Sequence, residues 1–338
     1  MHNDRRAPTY RRNPDLEALL AELSALLEPV EQGIMARYER PRYPVLFVVG
    51  VPRSGSTLLM QWLAQTGYFA YPTNLLSRFY AAPYIGALIQ QLLTDPRYSF
   101  NDELRDLASM PDLISDLGKT RGALSPNEFW YFWRRFIPNA QPRRLTPEEE
   151  QQVDGKGLSA ELAALEAVFN QPLALKALIL QLNLPWLAGF FNQPLFLHIT
   201  RHPFYTLQSL LLARERYFGD RAGWYSIQPP EYAWLQARDP VEQVAGQVYF
   251  TQRGVEAGLA QLPPANVLTI GYERFCAAPG EIFGRIQSHL AALGYPSQGW
   301  TYHGPERLTD TNQVRLTPDD AARAQRAYAQ FSGEPLSL

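Results

Sequence analysis

The sequence predicts an α/β fold in which a parallel sheet is flanked by helices and interrupted by a large helical insertion. Short apolar runs bounded by proline and glycine, such as VLFVVG at 45–50, are typical of strands buried on both faces of a parallel sheet. Runs with helical spacing follow these strands, and this alternation favours one doubly wound domain over separate modules. The length of 338 residues fits one large α/β domain with insertions.

The N-terminal part of the chain predicts one amphipathic helix. Leucines recur at helical spacing over residues 15–39. Asn13 is a candidate N-cap, and Pro14 suits the first helical position, where no N–H is needed. Pro29 is expected to end or kink the helix, because proline removes an internal hydrogen bond.

Further elements follow in a regular order after the first strand. The run TLLMQWLAQTG at 57–67 predicts a helix that ends on Gly67. Residues 75–170 are expected to be mostly helical, with loops at Thr94–Phe100 and Pro138–Pro147 and no clear strand. Other predicted elements are LALKALIL after 172 (strand or helix), strands at 194–200 and 267–272, and helices at 203–217 and 279–294.

Composition excludes several classes of protein. Hydrophobic residues make up 46% of the chain, which excludes intrinsic disorder, and a net charge of −2 argues against a general nucleic-acid binder. Cys276 is the only cysteine, so neither an intrachain disulfide nor a cysteine-based zinc site is expected. The first 15 residues lack the apolar segment of a secretory signal, and no run of ~18 apolar residues is present. We therefore expect a cytoplasmic protein without a membrane span.

The turn after the first strand has the composition of an anion-binding loop. Backbone N–H groups of such a turn and the positive end of the following helix dipole converge on one point. Glycines let the backbone approach the ligand closely, while an arginine and hydroxyl groups add charge and hydrogen bonds. The residues of this loop are Gly50, Arg53, Ser54, Gly55, Ser56 and Thr57.

This loop differs from that of nucleotide-triphosphate enzymes where their chemistry requires a lysine. The spacing Gly50-x4-Gly55 matches, but Ser56 stands where that lysine would reach the β- and γ-phosphates. The cation is instead Arg53, inside the loop, and Glu273 after VLTIGY fits an acidic magnesium ligand only loosely. The loop therefore suits an anion that needs no metal, and we expect no metal site.

A second anion site is predicted about 150 residues later in the chain. Arg201 follows the strand PLFLHIT, Pro203 suits the first turn of the next helix, and Ser209 lies inside that helix. An arginine at a strand end and a serine on the helix can hold one phosphate from two directions.

These two motifs resemble those of the sulfotransferases that use 3′-phosphoadenosine 5′-phosphosulfate (PAPS). The segment VPRSGSTLL at 51–59 is similar to the family's 5′-phosphosulfate-binding loop, which has a basic residue at the position of Arg53. Arg201, followed by Pro203 and then by Ser209 at plus eight, resembles its 3′-phosphate-binding motif. The resemblance implies a P-loop-like α/β fold, PAPS as the sulfuryl donor and 3′-phosphoadenosine 5′-phosphate (PAP) as the product.

Three other segments resemble the family more weakly. PLALK, which ends on Lys176, is similar to the segment in which a lysine enters the family's active site. VLTIGYERF contains a Tyr-Glu pair, Tyr272 and Glu273, like that of a later strand and helix of the family. DTNQVRLTPDD resembles the loop that closes over the nucleotide, which implies that Asn312 and Arg315 contact the donor.

The general base departs from the pattern of many family members. Many cytosolic members have a histidine two residues after the lysine, and Leu178 stands there in this chain. Glu128 is the candidate, because desolvation beside the aromatic run 129–133 could raise its pKa; the alternative is a carboxylate at a helix N-terminus. His202 and His303 are reserve candidates. The aromatic run either lines an acceptor pocket or packs in the core.

The sequence therefore predicts an enzyme, a PAPS-dependent sulfotransferase that acts on a hydroxyl or amine of a small-molecule or carrier-bound acceptor. The expected catalytic residues are Arg53, Glu128 and Lys176. The donor is expected to contact Arg53, Ser54, Gly55, Ser56, Thr57, Arg201, Ser209, Asn312 and Arg315. The alternatives are a P-loop small-molecule kinase and a nucleotide-binding protein without catalysis.

The resemblance also implies how the chain is organised. It covers about residues 44–330. We expect an N-terminal helix in residues 1–43 that packs on the domain, and a sulfotransferase α/β domain at 44–338. The helical insertion at about 75–170 is expected to carry the acceptor site.

Overall fold

A four-stranded parallel sheet forms the centre of the structure, a computed structural model that describes residues 5–108, 112–138 and 141–337. Its strands lie in the order β4-β1-β5-β6, and a separate antiparallel pair, β2–β3, lies outside it. The predicted α/β fold with a parallel sheet is confirmed. The strands are β1 (Val45–Val49), β2 (Ser115–Asp116), β3 (Lys119–Thr120), β4 (Leu173–Lys176), β5 (Pro194–Thr200) and β6 (Val267–Gly271).

Thirteen α-helices lie in the described residues. Two or more lie on each face of the sheet, so its strands are covered as their continuous apolar runs require. The helices are α1 (Pro14–Met35), α2 (Ser56–Thr66), α3 (Pro83–Thr94), α4 (Trp130–Phe136), α5 (Pro147–Gln152), α6 (Gly155–Phe169), α7 (Leu184–Ala188), α8 (Pro203–Phe218), α9 (Tyr232–Leu235), α10 (Pro240–Leu259), α11 (Tyr272–Ala277), α12 (Pro279–Ala292) and α13 (Pro318–Ser332).

The register of the sheet aligns the carboxyl ends of its four strands. Val48 of β1 lies beside Lys176, the last residue of β4, and Thr200 of β5 lies beside Gly271 of β6. Because all four strands are parallel, the segments that follow them meet at one edge. The anion loop after β1, Lys176 and Arg201 are thereby placed at the same edge of the sheet.

Alternate side chains of β1 enter two different core clusters. Phe47 packs in a cluster that contains Phe132 of α4 and Leu162 of α6. Val48 packs on the opposite face, in a cluster that contains Trp62 of α2. A third cluster joins α8, α10 and α13. Burial of both faces explains why the strand has no polar position.

The N-terminal helix continues through its proline. Asn13 caps α1 by accepting hydrogen bonds from two backbone N–H groups, as predicted. The helix does not end at Pro29, because it is held on both sides of that residue: Leu20 is buried, and the Glu31 carboxylate accepts hydrogen bonds from the first turn of α3. Tertiary contacts here outweigh the hydrogen bond that proline removes.

The segment 75–170 is less regular than predicted. It contains α3, α4, α5 and α6, but residues 95–108 and 112–129 form short 3₁₀ turns, loops and the hairpin β2–β3. The expectation of no strand is therefore wrong, since strands of two residues are too short to show alternation. The predicted loop at Pro138–Pro147 includes residues 139–140, which lie outside the described residues.

Most other predicted elements are confirmed. Gly67 caps α2 in the left-handed conformation, with φ of 75°. The ambiguous run LALKALIL forms a strand only as far as Lys176. The helix α10 was not predicted, although Asp239 followed by Pro240 is a helix-start signal. None of the helices in the described part of the chain has the length and apolar character needed to cross a membrane.

Candidate active site

The anion loop has the backbone geometry that close approach to a ligand requires. Gly50 and Gly55 have φ of 147° and 101°, and a Cβ at Gly50 would lie 2.3 Å from the Ile199 carbonyl oxygen. Arg53 has φ of 77°, a conformation that costs an L-residue about 1–2 kcal/mol. Such strain in a well-packed loop is typical of ligand sites. Only glycine fits at Gly50.

Two buried polar atoms, one in this loop and one beside it, lack hydrogen-bond partners within the described residues. The Ser54 hydroxyl and the Gln181 amide nitrogen are both buried without a hydrogen bond there, while Gln181 Oε1 accepts from Gly50 N at 3.0 Å. Gly55 is the N-cap of α2 and offers no side chain to cap it, so the first N–H groups of the helix can bind an anion. The loop has the donors of an oxyanion site.

Two predicted residues from distant parts of the chain, Glu128 and Lys176, meet at Thr57, the end of the loop. The ammonium of Lys176 donates to Thr57 Oγ1 at 2.7 Å and to Glu128 Oε1 at 2.7 Å. The Lys176 side chain is only 4% exposed, so these two partners replace the hydrogen bonds with water that its ammonium loses on burial. The arrangement places a cation and a carboxylate at the end of β4, next to the first turn of α2.

The environment of Glu128 differs from the expected one. Burial alone would raise the pKa of this carboxyl, but the charge and hydrogen bond of Lys176, with a hydrogen bond from Trp130 Nε1 and the charge of Arg53, together lower it. The expectation of a raised pKa is wrong, because the sequence does not show that Lys176 pairs with Glu128. Glu128 is therefore ionised at neutral pH.

A packing gap too small for a water molecule lies beside this pair. Leu178 lines it together with Glu128 and Lys176. Trp130 and Trp133 supply its aromatic walls, and the indole N–H of Trp133 has no partner within the described residues. The side chain at position 178 therefore faces the same space as the Glu128 carboxylate.

The aromatic run around Glu128 is divided between two roles. Phe129, Phe132 and Trp133 are buried in the core, whereas Trp130 is half-buried and donates its indole N–H to Glu128. The alternative of core packing thus holds for these three residues, and an acceptor pocket at Trp130 stays a prediction. Trp130 is the member of the run that orients the candidate base.

The second anion motif lies against the first. Arg53 Nε donates to the Ser209 hydroxyl at 3.0 Å, and Arg201 donates to the Arg53 carbonyl oxygen at 3.2 Å. The Arg201 guanidinium also lies over the Tyr272 ring, 4.5 Å from its centroid. Burial lowers the pKa of Arg201, and nearby Tyr272 partly offsets this effect. Two guanidinium groups are thus held side by side at the strand ends.

A C-terminal segment without regular structure lies across Arg201. Asn312 accepts a hydrogen bond from Arg201 Nε at 2.8 Å and donates to Glu273 Oε1 at 2.8 Å. Glu273 also accepts from the backbone N–H of His202, the N-cap of α8. The Arg315 side chain is exposed, and its backbone N–H donates to Gln208 at 2.6 Å. Asn312 therefore joins the site directly, whereas Arg315 anchors the segment through its backbone.

Neither reserve histidine is among the hydrogen-bond partners that the described residues give Glu128 and Lys176. His202 begins α8 and contacts the Tyr205 ring, and His303 is exposed in the loop before the C-terminal segment. No hydrogen bond of the described residues joins either imidazole to Lys176 or Thr57. The geometry favours Glu128 over both as the base.

Two functional neighbours were not found by sequence reasoning. Gly118, at the tip of the hairpin β2–β3, has φ of 84°, and a Cβ there would lie 3.3 Å from Glu128 Oε1 and 3.5 Å from Thr57 Oγ1. Tyr225 is half-buried where the charges of Arg53 and Glu128 act on it, and desolvation raises its pKa to about 12. The Leu117-Gly118 pair is a weak hairpin signal, but nothing marks Tyr225.

Comparisons with known proteins identify the family and the fold. The model of the Sulfotransferase family matches residues 44–295, more than half of the chain. The chain is similar to sulfotransferase STF9 from Mycobacterium avium, with 14% identity, a TM-score of 0.50, and coverage of 98% of this chain and 80% of that one. The likeness supports the fold, and no curated protein matches the chain.

Two further solved structures have lower TM-scores. Sulfotransferase STF1 from Mycobacterium tuberculosis H37Rv has 14% identity and a TM-score of 0.49, and the match covers 91% of this chain and 81% of that one. The sulfotransferase domain of the Synechococcus PCC 7002 olefin synthase has 19% identity and a TM-score of 0.38, with coverage of 89% and 92%. On the extent of the family match, this chain belongs to the Sulfotransferase family.

Proposed function

We propose that the protein transfers a sulfuryl group from PAPS to a hydroxyl or amine of a small-molecule or carrier-bound acceptor. The observation that carries the proposal is the contact of Lys176 with both Thr57 and Glu128 at 2.7 Å. Through this contact, the end of the anion loop lies beside a cation and an ionised carboxylate. Transfer of a group to a hydroxyl needs a cation to offset negative charge and a base to accept the hydroxyl proton.

The donor site fits a nucleotide with two separate anionic groups. The orphaned hydroxyl of Ser54 and the uncapped start of α2 suit one of them. Arg201 and Ser209, which both contact Arg53, suit the other. When bound, PAPS supplies the sulfuryl group. The protein supplies positive charge from two directions, without any lysine in the loop itself.

Each residue of the pair has a role in the transfer. Ionised Glu128 accepts the proton of the acceptor hydroxyl, and Trp130 fixes the orientation of its carboxylate. The Lys176 ammonium offsets negative charge on the transferring group and on the leaving phosphate. Direct contact with the ammonium helps to keep Glu128 ionised, and it gives the almost completely buried Lys176 side chain a partner of opposite charge.

Calorimetric titration with PAP, with ATP and Mg²⁺ as the parallel ligand, tests the donor. We expect PAP to bind at micromolar concentration or more tightly and ATP to bind weakly. Arg201→Ala should weaken PAP binding at least tenfold, because a charged hydrogen bond contributes ~1.5–3 kcal/mol. Arg326→Ala, an exposed arginine on α13, is the matched control and should leave PAP affinity unchanged.

The other outcomes identify the alternatives. Tighter binding of ATP with Mg²⁺ than of PAP would overturn the proposal in favour of a P-loop kinase. Tight PAP binding with no transfer to any hydroxylated or aminated acceptor, unchanged by Glu128→Gln, would identify a nucleotide-binding protein without catalysis.

A further inference from the structure

A pair of asparagines holds the segment that carries Glu128. Asn127 directly precedes Glu128, and Asn74 lies 53 residues earlier in the chain than Asn127. The Asn127 Nδ2 group donates to Asn74 Oδ1 at 2.8 Å, and both residues are half-buried. We refer to these two residues as the asparagine pair. The pair holds the backbone around Glu128, whereas Lys176 and Trp130 bind its carboxylate.

The Asn127 side chain closes a turn in which Glu128 is the central residue. Its Oδ1 atom accepts the backbone N–H of Phe129 at 2.8 Å, which is the hydrogen bond of an Asx turn. The backbone N–H of Asn127 donates to the Pro72 carbonyl oxygen at 2.8 Å. Because the residues before and after Glu128 are both held, the direction in which its side chain leaves the backbone is fixed as well.

The residue after Glu128 has an unfavourable backbone conformation. Phe129 has φ of 56°, in the left-handed region, which residues with a bulky side chain rarely adopt. Its ring is buried and stacks on Phe132, with centroids 4.5 Å apart, and its N–H is the one bound by Asn127. Such strain persists only where the surroundings impose it, and it is concentrated at functional sites. Phe129 thus separates Glu128, at the site, from α4, in the core.

Asn74 connects this turn to the hairpin β2–β3. Its Nδ2 group donates to the Gly122 carbonyl oxygen at 2.9 Å and to Thr120 Oγ1 at 3.1 Å. The Thr120 hydroxyl in turn donates to the Pro126 carbonyl oxygen at 2.8 Å. Thr120 is the last residue of β3, two residues after Gly118 at the tip. One hydrogen-bonded unit therefore includes both the turn that carries the carboxylate and the hairpin that contacts it.

The hydrogen bonds leave each amide of the pair a single orientation. Asn127 Oδ1 accepts from a backbone N–H, so its Nδ2 group must face Asn74. Asn74 Oδ1 accepts at that contact, so its own Nδ2 group must face the hairpin. A replacement that keeps only one of these contacts leaves a polar group unpaired in a half-buried place. The pair is therefore a rigid support for the turn.

We propose that Asn74 and Asn127 are positioning residues, which hold the Glu128 carboxylate against Lys176 through the turn and the hairpin. This inference rests on the proposed function for the role of Glu128 as the base, and it adds the residues that set the position of that base. A general base must lie within hydrogen-bond reach of the proton that it accepts, and a displacement of about 1 Å is expected to cost about 10²-fold in rate.

Two NMR measurements on the whole chain report the position of the carboxylate and need no acceptor. The first is the pKa of Glu128, followed through the ¹³C resonance of its carboxyl group and assigned with Glu128→Gln. The second is the indole N–H resonance of Trp130, which bonds to this carboxylate. The chain has seven tryptophans, and Trp130→Phe assigns the signal.

Asn127→Ala and, independently, Asn74→Ala should release the carboxylate. Burial raises the pKa of Glu128, and the charge and hydrogen bond of Lys176 are the largest effects that lower it. With the carboxylate farther from the ammonium, we expect the pKa to rise by about 1 or more in each variant. The indole resonance should move upfield at neutral pH, because its hydrogen bond to the carboxylate is weakened.

A conservative variant and a matched control separate positioning from loss of stability. Asn127→Ser keeps an oxygen that can accept the Phe129 N–H but does not reach Asn74, so its effect on both signals should be intermediate. Asn266→Ala removes a comparable hydrogen bond, from Asn266 Nδ2 to the Pro194 carbonyl oxygen at the start of β5. It should lose stability while both signals keep their wild-type values. PAP affinity should stay within about threefold of wild type in every variant, because the pair supports the carboxylate and not the anion loop.

The outcomes separate this inference from the proposed function. Wild-type values of the Glu128 pKa and of the Trp130 resonance in both Asn127→Ala and Asn74→Ala would overturn the inference, and so would equal changes in Asn266→Ala. If Asn127→Ala does not fold, Asn74→Ala and Asn127→Ser decide in the same way. Failure of the wild-type protein to bind PAP would instead overturn the proposed function, while the effect of the asparagine pair on the carboxylate is still measured.

Discussion

Lys176 connects the donor and acceptor sides of the candidate site. It is the last residue of β4, and its side chain is almost completely buried. A buried ammonium is costly unless it is paired and hydrogen-bonded, and here Thr57 and Glu128 provide both. Burial raises the pKa of Glu128, but the charge and hydrogen bond of Lys176, the hydrogen bond of Trp130 and the charge of Arg53 together lower it, so the carboxylate stays ionised at neutral pH.

The pairing predicts how stability depends on pH. Because the folded-state pKa of Glu128 is below its unfolded value of 4.5, its ionised form stabilises the protein above that pH. This contribution is lost as the pH falls through the folded-state pKa. The free energies of unfolding of the wild-type protein and of Glu128→Gln are measured with urea between about pH 3 and 7. The wild-type value should exceed that of the variant by more at pH 7 than at pH 3.

A Lys176→Met background provides the control for this prediction. Without the ammonium, burial becomes the dominant effect and raises the pKa of Glu128. The two proteins compared are then Lys176→Met and the double variant Lys176→Met/Glu128→Gln. As the pH rises, the excess in unfolding free energy of the first over the second should shrink or reverse. The same pH dependence with and without Lys176 would show that the ion pair does not control Glu128.

Among the elements, the hairpin β2–β3 brings its tip next to Glu128 and Thr57. Asp116 of β2 bonds to the Tyr10 hydroxyl at 3.4 Å and to Arg216 of α8 at 2.8 Å. These contacts hold the tip, where Gly118 lies against Glu128 and Thr57. The hairpin is exposed to solvent on its outer side, so its position depends on these few anchors.

Gly118→Ala should lower the rate of sulfuryl transfer about tenfold or more while PAP affinity is unchanged. The added Cβ, 3.3 Å from Glu128 Oε1, displaces the base by a few tenths of an ångström. Gly294→Ala is a matched control, because Gly294 also has φ of 84° but its Cβ would lie 4.0 Å from the nearest atom.

The two alanine variants separate strain from contact. Both should lose roughly 1–2 kcal/mol of stability through the left-handed backbone, as measured by urea unfolding. Only Gly118→Ala should lose transfer activity. A similar rate in the two variants would exclude a direct effect of the hairpin tip on the base.

For the whole molecule, the proposed donor site joins three segments that are far apart in the chain. The loop after β1, the start of α8 and the C-terminal segment meet through Arg53, Arg201 and Asn312. Arg214, fully buried in α8, also holds the segment that carries Tyr225, since it donates to the Arg221 carbonyl and to Gln243. A ligand bound there therefore contacts several elements of the folded state at once.

Binding of PAP should accordingly stabilise the entire protein. At a PAP concentration of about one hundred times the dissociation constant, the stabilisation is ~2.7 kcal/mol, which raises the apparent Tm by several degrees. Differential scanning calorimetry with PAP, and with ATP and Mg²⁺ at the same concentration as the control, measures the effect. No rise in Tm with PAP would contradict the proposed donor.

The parallel α/β architecture, the anion loop and the second anion motif could all be predicted from the sequence alone. Each of these depends on residues that are close together in the chain: the apolar run of β1, the glycines at 50 and 55, and Arg201 with Ser209. Local patterns of this kind are imposed by backbone hydrogen bonding and by burial of both sheet faces, so they are visible without the fold.

The residues around Glu128 could not be predicted from the sequence, because they come from distant parts of the chain. Lys176 is 48 residues away from it in the chain, and Gly118 reaches it through a hairpin too short to be predicted. Whether the pKa of a buried carboxyl is raised or lowered depends on the charges within a few ångströms, which the sequence does not specify. The continuation of α1 through Pro29 could not be predicted for the same reason. Contacts between distant segments outweigh the local preference of one residue.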